Sequence, residues 1–176
     1  MAHELYTRTN QKLYFAGLAL ETWRKAEETR PMNGQARIQA EREAVLFHLY
    51  GALLGLCHEI AGYYRLALAD NARVEAVLNS AVLEASPNPE LAELVELAGS
   101  PASWLTRLLE AYNALFRPPR PAKPNQSTAT TEDRESLIQA VALEDTESPL
   151  GHEQLEAWRQ ALKALVLRYR EALSEC

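Results

Sequence analysis

Cysteine is scarce. The 176-residue chain has 2, Cys57 and Cys176, too few for a disulfide framework and in keeping with a reducing compartment. Basic charge is in deficit: 18 Lys and Arg against 24 Asp and Glu leave a net charge of −6, which argues against a broad nucleic-acid-binding face. Residues Met1 to Arg8 lack the apolar core of an export signal. The longest apolar run, 44 to 57, contains His48 and falls short of the roughly 20 residues that cross a bilayer. The expectation is a cytoplasmic protein without a membrane partner.

Catalytic and metal-binding patterns are missing as well. Di-iron bundles use Glu-x-x-His pairs, but the residues three before His48, His58 and His152 are Val45, Gly55 and Pro149. His-Glu-x-x-His, zinc-type Cys/His sets, Gly-x-Ser-x-Gly, phosphate loops and dinucleotide fingerprints do not occur. No metal and no cofactor is expected. Cys57 precedes His58, but neighbours on a helix do not face one another, so Cys57 reads as a buried structural thiol.

What is present is helical. The stretch from about 33 to 69 has no proline and is apolar on almost every side, the mark of a buried helix. One stripe carries Ile38, Val45, Leu49, Ala52, Leu56, Ile60 and Tyr63, while Leu46, Leu53 and Leu54 fill other sides. Gly51, Gly55 and Gly62 lie near one side. They fit either close packing of a neighbouring helix or a kink that opens a pocket.

The other segments have one apolar face each. A first helix starts around Thr7 to Asn10, carries Leu13, Ala16, Leu20 and Trp23, and stops at Arg30-Pro31. Asn33 is placed to cap the central helix, and Asp70 a third with Val74, Val77, Leu78 and Val82. Asn88-Pro89-Glu90 starts a short helix that Gly99 ends as a left-handed cap, and Ser100-Pro101 repeats the cap-plus-proline device. From 117 to 131 the chain has four prolines, three basic residues and no acid, the composition of a semi-extended linker. Beyond it, an acidic helix around 132–141 and a last helix from Ser148-Pro149 complete the order. That last helix carries Leu155, Trp158, Leu162, Leu165 and Tyr169 on one stripe, with Arg159, Lys163 and Arg170 on the charged side.

The anomaly is the polar set inside the central helix: Glu41, Arg42, His48, His58, Glu59 and Tyr63. Glu41, His48 and Glu59 fall on nearly one face. If buried they need partners. Flanking helices can supply these and so fix the register of the bundle; alternatively the set lines a cleft where a histidine titrates near neutrality. Arg42 and His48 also resemble the loose Arg-x(4–6)-His pattern of RNA-cleaving HEPN-type domains. Six residues along a helix put the two side chains well over 90° apart, which weighs against that reading.

Residues 4–16, 47–61 and 103–109, with the helix from Trp158 to Ala172, resemble a family of small bacterial proteins of unknown function. The resemblance implies a bacterial cytosolic helical protein and carries no catalytic residues.

The sequence therefore predicts an all-α fold: one domain, 1–176, a bundle of five to seven helices around the 33–69 helix, with the 117–131 linker joining 1–116 to two C-terminal helices in 132–176. The expected function is a non-enzymatic interaction or adaptor protein, with a ligand-binding or enzymatic bundle as the alternative. The expected partner is a protein, with homodimerisation through the last helix as one form of it. Nucleic acid is not an expected partner.

Overall fold

A helix apolar on nearly all sides must be enclosed by others, and the structure encloses it. In the computed structural model, residues 2–67, 71–118 and 150–174 are described, with side chains from residue 6 onward. They form six α-helices and no strand. In chain order these are α1 (Ala2–Thr29), α2 (Gly34–Tyr63), α3 (Ser80–Ala85), α4 (Pro89–Gly99), α5 (Trp104–Ala114) and α6 (His152–Ser174), with a single 3-10 turn at Val74–Ala76. The described residues up to 116 and from 150 onward make one compact unit. The 117–131 linker and the acidic helix expected around 132–141 lie outside the described residues, apart from Arg117 and Pro118.

The first two helices form an antiparallel pair, since Thr9 meets Gly55, Lys12 meets Gly51 and Phe15 meets His48. Helix α6 runs parallel to α2, with its start near Arg42 and its Arg170 near Glu59. It is antiparallel to α1, where His152 reaches Leu20 and Arg170 reaches Asn10. On another side of α2, Tyr50 stacks on Tyr112 of α5 at 3.8 Å and 8°. Much of α2 is then buried, Val45, Leu49, Leu53, Leu56 and Ile60 together with Leu46 and Cys57, while the side of Glu43 and Phe47 stays exposed. By length and composition α2 is long and apolar enough to cross a membrane, but 67% of its most apolar window is buried inside the bundle.

Several boundaries differ from the sequence reading. Helix α1 begins by Ala2, so Thr7 to Asn10 are interior residues and not a cap. Helix α2 ends at Tyr63 instead of 69: Arg65 takes a left-handed φ of 53° and the Leu66 N–H donates back to the Ala61 carbonyl, a Schellman-type ending with arginine where glycine is usual. The third helix is not one helix. Tyr50 from α2 interrupts it, its hydroxyl accepting from the Val74 N–H and donating to Glu75, while Asn79 caps the separate α3.

Cap positions are likewise split. Asn88 accepts from the Leu91 N–H behind Pro89, as expected, and Asn33 is the N-cap of α2 without a side-chain bond. Among the described residues no glycine has a positive φ, so Gly99 is not a left-handed cap, and Ser103 instead of Ser100 caps α5. Helix α6 starts at His152, and its stripe of Leu155, Trp158, Leu162, Leu165 and Tyr169 is buried in the core. The face expected to bind a second copy is thus already covered.

Candidate functional site

Two places carry more chemistry than packing alone requires: a buried ionic knot where α1, α2 and α6 meet, and an exposed aromatic face on α1 and α2.

The knot is centred on Glu59. Its side chain is 2% exposed and that of Arg170 is 18% exposed. Arg170 binds the carboxylate in a fork, Nε to Oε2 at 2.9 Å and Nη2 to Oε1 at 2.8 Å, the geometry that makes arginine–carboxylate pairs strong. Thr9 Oγ1 donates to Oε1 from the other side. The remaining donors of Arg170 reach Asn10 Oδ1 at 2.9 Å and the Tyr6 carbonyl at 3.4 Å, and its guanidinium lies 4.6 Å from the Tyr6 ring centroid. Gly55 makes room for Thr9, because a Cβ there would stand 2.5 Å from Thr9 Oγ1. Both Glu59 oxygens are engaged, while Arg170 keeps some contact with solvent. The knot ties three helices together through Thr9, Glu59 and Arg170.

Sequence reasoning passed over two of its members. Thr9 was legible: it continues the stripe Leu13, Ala16, Leu20, Trp23 backwards by one turn. Arg170 was placed on the solvated side of α6, although buried Val166 one turn earlier shows that the core extends there.

The other candidates on α2 have separate partners. Arg42 donates from Nε to the Leu150 carbonyl at 3.1 Å and stacks over Trp23 at 5.1 Å, which ties α2 to the approach to α6. His58 Nε2 lies 2.7 Å from the Asn71 carbonyl. Tyr63, at the helix end, meets the Tyr64 ring edge-on. Glu41 is half-buried. Arg42 and His48 have separate neighbours, Leu150 and Trp23 for the first and Phe15 and Phe47 for the second. Cys57 is fully buried, and burial pushes its thiol up to about 12, which makes it a poor nucleophile. Among the described residues, no group of three or more His, Cys, Asp or Glu is placed to hold a metal.

The aromatic face is built by ring-to-ring contact across the helix pair. Tyr14 touches Phe15 (6.4 Å between centroids), Phe15 meets His48 edge-on (5.4 Å), and His48 meets Phe47 edge-on (5.6 Å). Lys12 Nζ lies 5.0 Å from the Phe47 ring centroid. Tyr14 is 64% exposed, Phe47 50% and Leu18, one turn after Tyr14, 43%. His48 sits in the middle with Nδ1 buried and without a hydrogen-bond partner among the described residues.

Burial, and then the nearby Lys12 charge, hold the His48 pKa below 6.5. Its depressed folded-state pKa means the unfolded chain binds the proton more readily, so the contribution to stability is complete above about 6.5 and is lost as pH falls through the folded value. We expect urea midpoints to drop as pH falls below about 6.5, and His48→Leu to make that drop smaller. An unchanged drop in the variant would show that His48 is not the source.

A helical bundle with a buried ion pair among its helices and an exposed aromatic patch on two of them is a class defined by architecture and not by chemistry. Within that class the chain belongs to the family described as Family of unknown function (DUF6586), which it matches over residues 1–176. No curated protein and no solved structure matches it.

Proposed function

We propose that the protein is a non-enzymatic interaction protein, an adaptor whose working surface is the aromatic face of α1 and α2. The observation that carries this reading is the continuous chain of rings Tyr14–Phe15–His48–Phe47, reaching across two helices with both ends open to solvent. Aromatic side chains are enriched at the centres of protein interfaces, where they bury large area at small entropic cost. A connected apolar patch calls for an explanation that a lone exposed residue does not. The other large exposed apolar residues, Met32, Tyr63, Phe116 and Leu167, take no part in this chain of contacts. The engagement of Glu59, Arg42 and His58 in internal bonds supports the same reading.

The partner in this reading is a protein, either another chain or further copies of this one, and the setting is cytoplasmic, in line with the acidic composition. The test is recovery of partners from native lysate by the tagged chain and by a Tyr14→Ser, Phe47→Ser variant with unchanged helical content. We expect one protein at stoichiometric yield with the parent chain and its loss with the variant. Equal recovery by both would reject this surface. A small molecule that raises the melting temperature of the parent chain but not of a His48→Leu variant would favour a ligand-binding bundle instead.

A further inference from the structure

Among the described residues, one buried side-chain nitrogen or oxygen has no hydrogen-bond partner, and it is Nδ1 of His48, at the centre of the aromatic face. A buried polar atom left unpaired calls for an explanation. We propose that His48 is a proton-operated latch: as a neutral ring it joins Phe15 to Phe47 in one surface, and on taking up a proton it leaves its slot, parts the two rings and releases the partner. This step rests on the interaction reading just given, since it supplies the regulation of that surface.

The slot accepts a neutral imidazole and rejects a charged one. Neutral, the ring carries one N–H, and its other nitrogen can face apolar surroundings at modest cost. The imidazolium carries two N–H donors, and a charged donor left unbonded in a buried place costs more than a neutral group does. What surrounds the ring is the edge-on Phe15 of α1 at 5.4 Å and Phe47 of α2 at 5.6 Å. Neither offers an acceptor to a ring nitrogen.

The charges nearby do not rescue the proton. Lys12 on α1 lies over Phe47 and repels it. On α2, Glu43 accepts from Gln39 at 2.7 Å, and Glu59 is bound by Thr9 and Arg170. Glu41, seven residues before His48, gives Nδ1 no bond. Tyr14 of α1 adjoins Phe15, and Arg159 of α6, set against Gly17, is closed on Glu156 by two bonds of 2.8 Å. Burial and then Lys12 hold the His48 pKa below 6.5. The latch is therefore closed at neutral pH and opens in acid, where water outside the slot solvates the charged ring.

Fluorine NMR of the full chain, with 4-fluorophenylalanine in place of its three phenylalanines, tests this without a partner. Phe15 and Phe47 flank His48, and Phe116 packs on Tyr112 as the control. We expect the Phe15 and Phe47 signals to move with pH along the titration curve of the His48 Cε1 proton, the Phe116 signal to stay, and helical content to hold. In His48→Leu the Phe15 and Phe47 signals should be flat. Signals that stay still while His48 titrates, that move equally in His48→Leu, or that all three move together with loss of helix overturn the latch. A partner captured at about pH 7.5 should be released along the same curve, and release at another pH overturns control by His48. Capture of a partner with still signals rejects the latch and leaves the interaction reading standing. No capture, with signals that follow His48, rejects the interaction reading and with it the release step, and supports only the movement of the rings.

Discussion

Arg170→Ala should lower the unfolding free energy by about 3 kcal/mol, one of the two largest effects expected of a single change here. The loss does not come from the pair's own attraction. A paired buried carboxylate is close to neutral for stability, because desolvation offsets most of the Coulombic gain, but a carboxylate left without its counter-charge carries the whole penalty. Glu59 is almost fully enclosed, and after the change Thr9 would be its one remaining side-chain donor. Removing a single partner of a buried pair costs about 3–5 kcal/mol, and the residual water access of Arg170 places this case at the low end. Glu59→Leu combined with Arg170→Met should recover most of the loss, since no charge is then buried. Urea unfolding of the three proteins decides it. A cost below about 1 kcal/mol for Arg170→Ala would mean that the pair is solvated in solution.

Gly55→Ala should destabilise by about 1–2 kcal/mol, although alanine favours a helix over glycine by about 1 kcal/mol. The added methyl group would sit 2.5 Å from Thr9 Oγ1 and 3.3 Å from Thr9 Cα. Thr9 cannot swing aside without releasing Glu59, and its backbone belongs to the facing helix, so α1 must move away from α2. Gly51→Ala is the internal control. The atoms near that methyl group, at 3.2 to 3.5 Å, belong to the Lys12 side chain, which is free to move. It should therefore be neutral or stabilising. Equal melting temperatures for the two variants would show that the Gly55 crossing is looser than the structure has it.

The outcome at Gly55 also bears on what could be read from sequence. That α2 would be largely enclosed was legible, because its apolar residues extend beyond the stripe of Val45, Leu49, Leu56 and Ile60 to Leu46, Leu53 and Leu54. The glycines on it were legible as close packing or a kink, and the continuous helix with Thr9 against Gly55 is the first of these. The stop at Arg30-Pro31 and the cap at Asn88 were legible because proline and asparagine act on their immediate neighbours. The segment after Tyr63 was not. Its apolar residues recur at helical spacing, but Tyr50, 24 residues away from Val74, claims the amide that a continuous helix would use. The knot was half legible: an acid inside an apolar helix announces that it needs a partner, yet nothing local says that the partner is Arg170, 111 residues on. Arg42, His48 and His58 were legible as anomalies but not as separate ones, because a shared helix face does not fix which neighbour each side chain meets.

The pairing of α6 with α1 has a consequence for how the molecule is made. Asn10 and Tyr6 bind Arg170 across 160 and 164 residues of sequence, so these contacts of the bundle join parts of the chain that are synthesised far apart in time. The α1–α2 pair is local and can form early, whereas Glu59 must wait for its counter-charge until α6 has emerged. In refolding, Arg170→Ala should then speed unfolding and leave the folding rate nearly unchanged, a φ-value near zero. Slowed folding would place the docking of α6 before the barrier instead of after it.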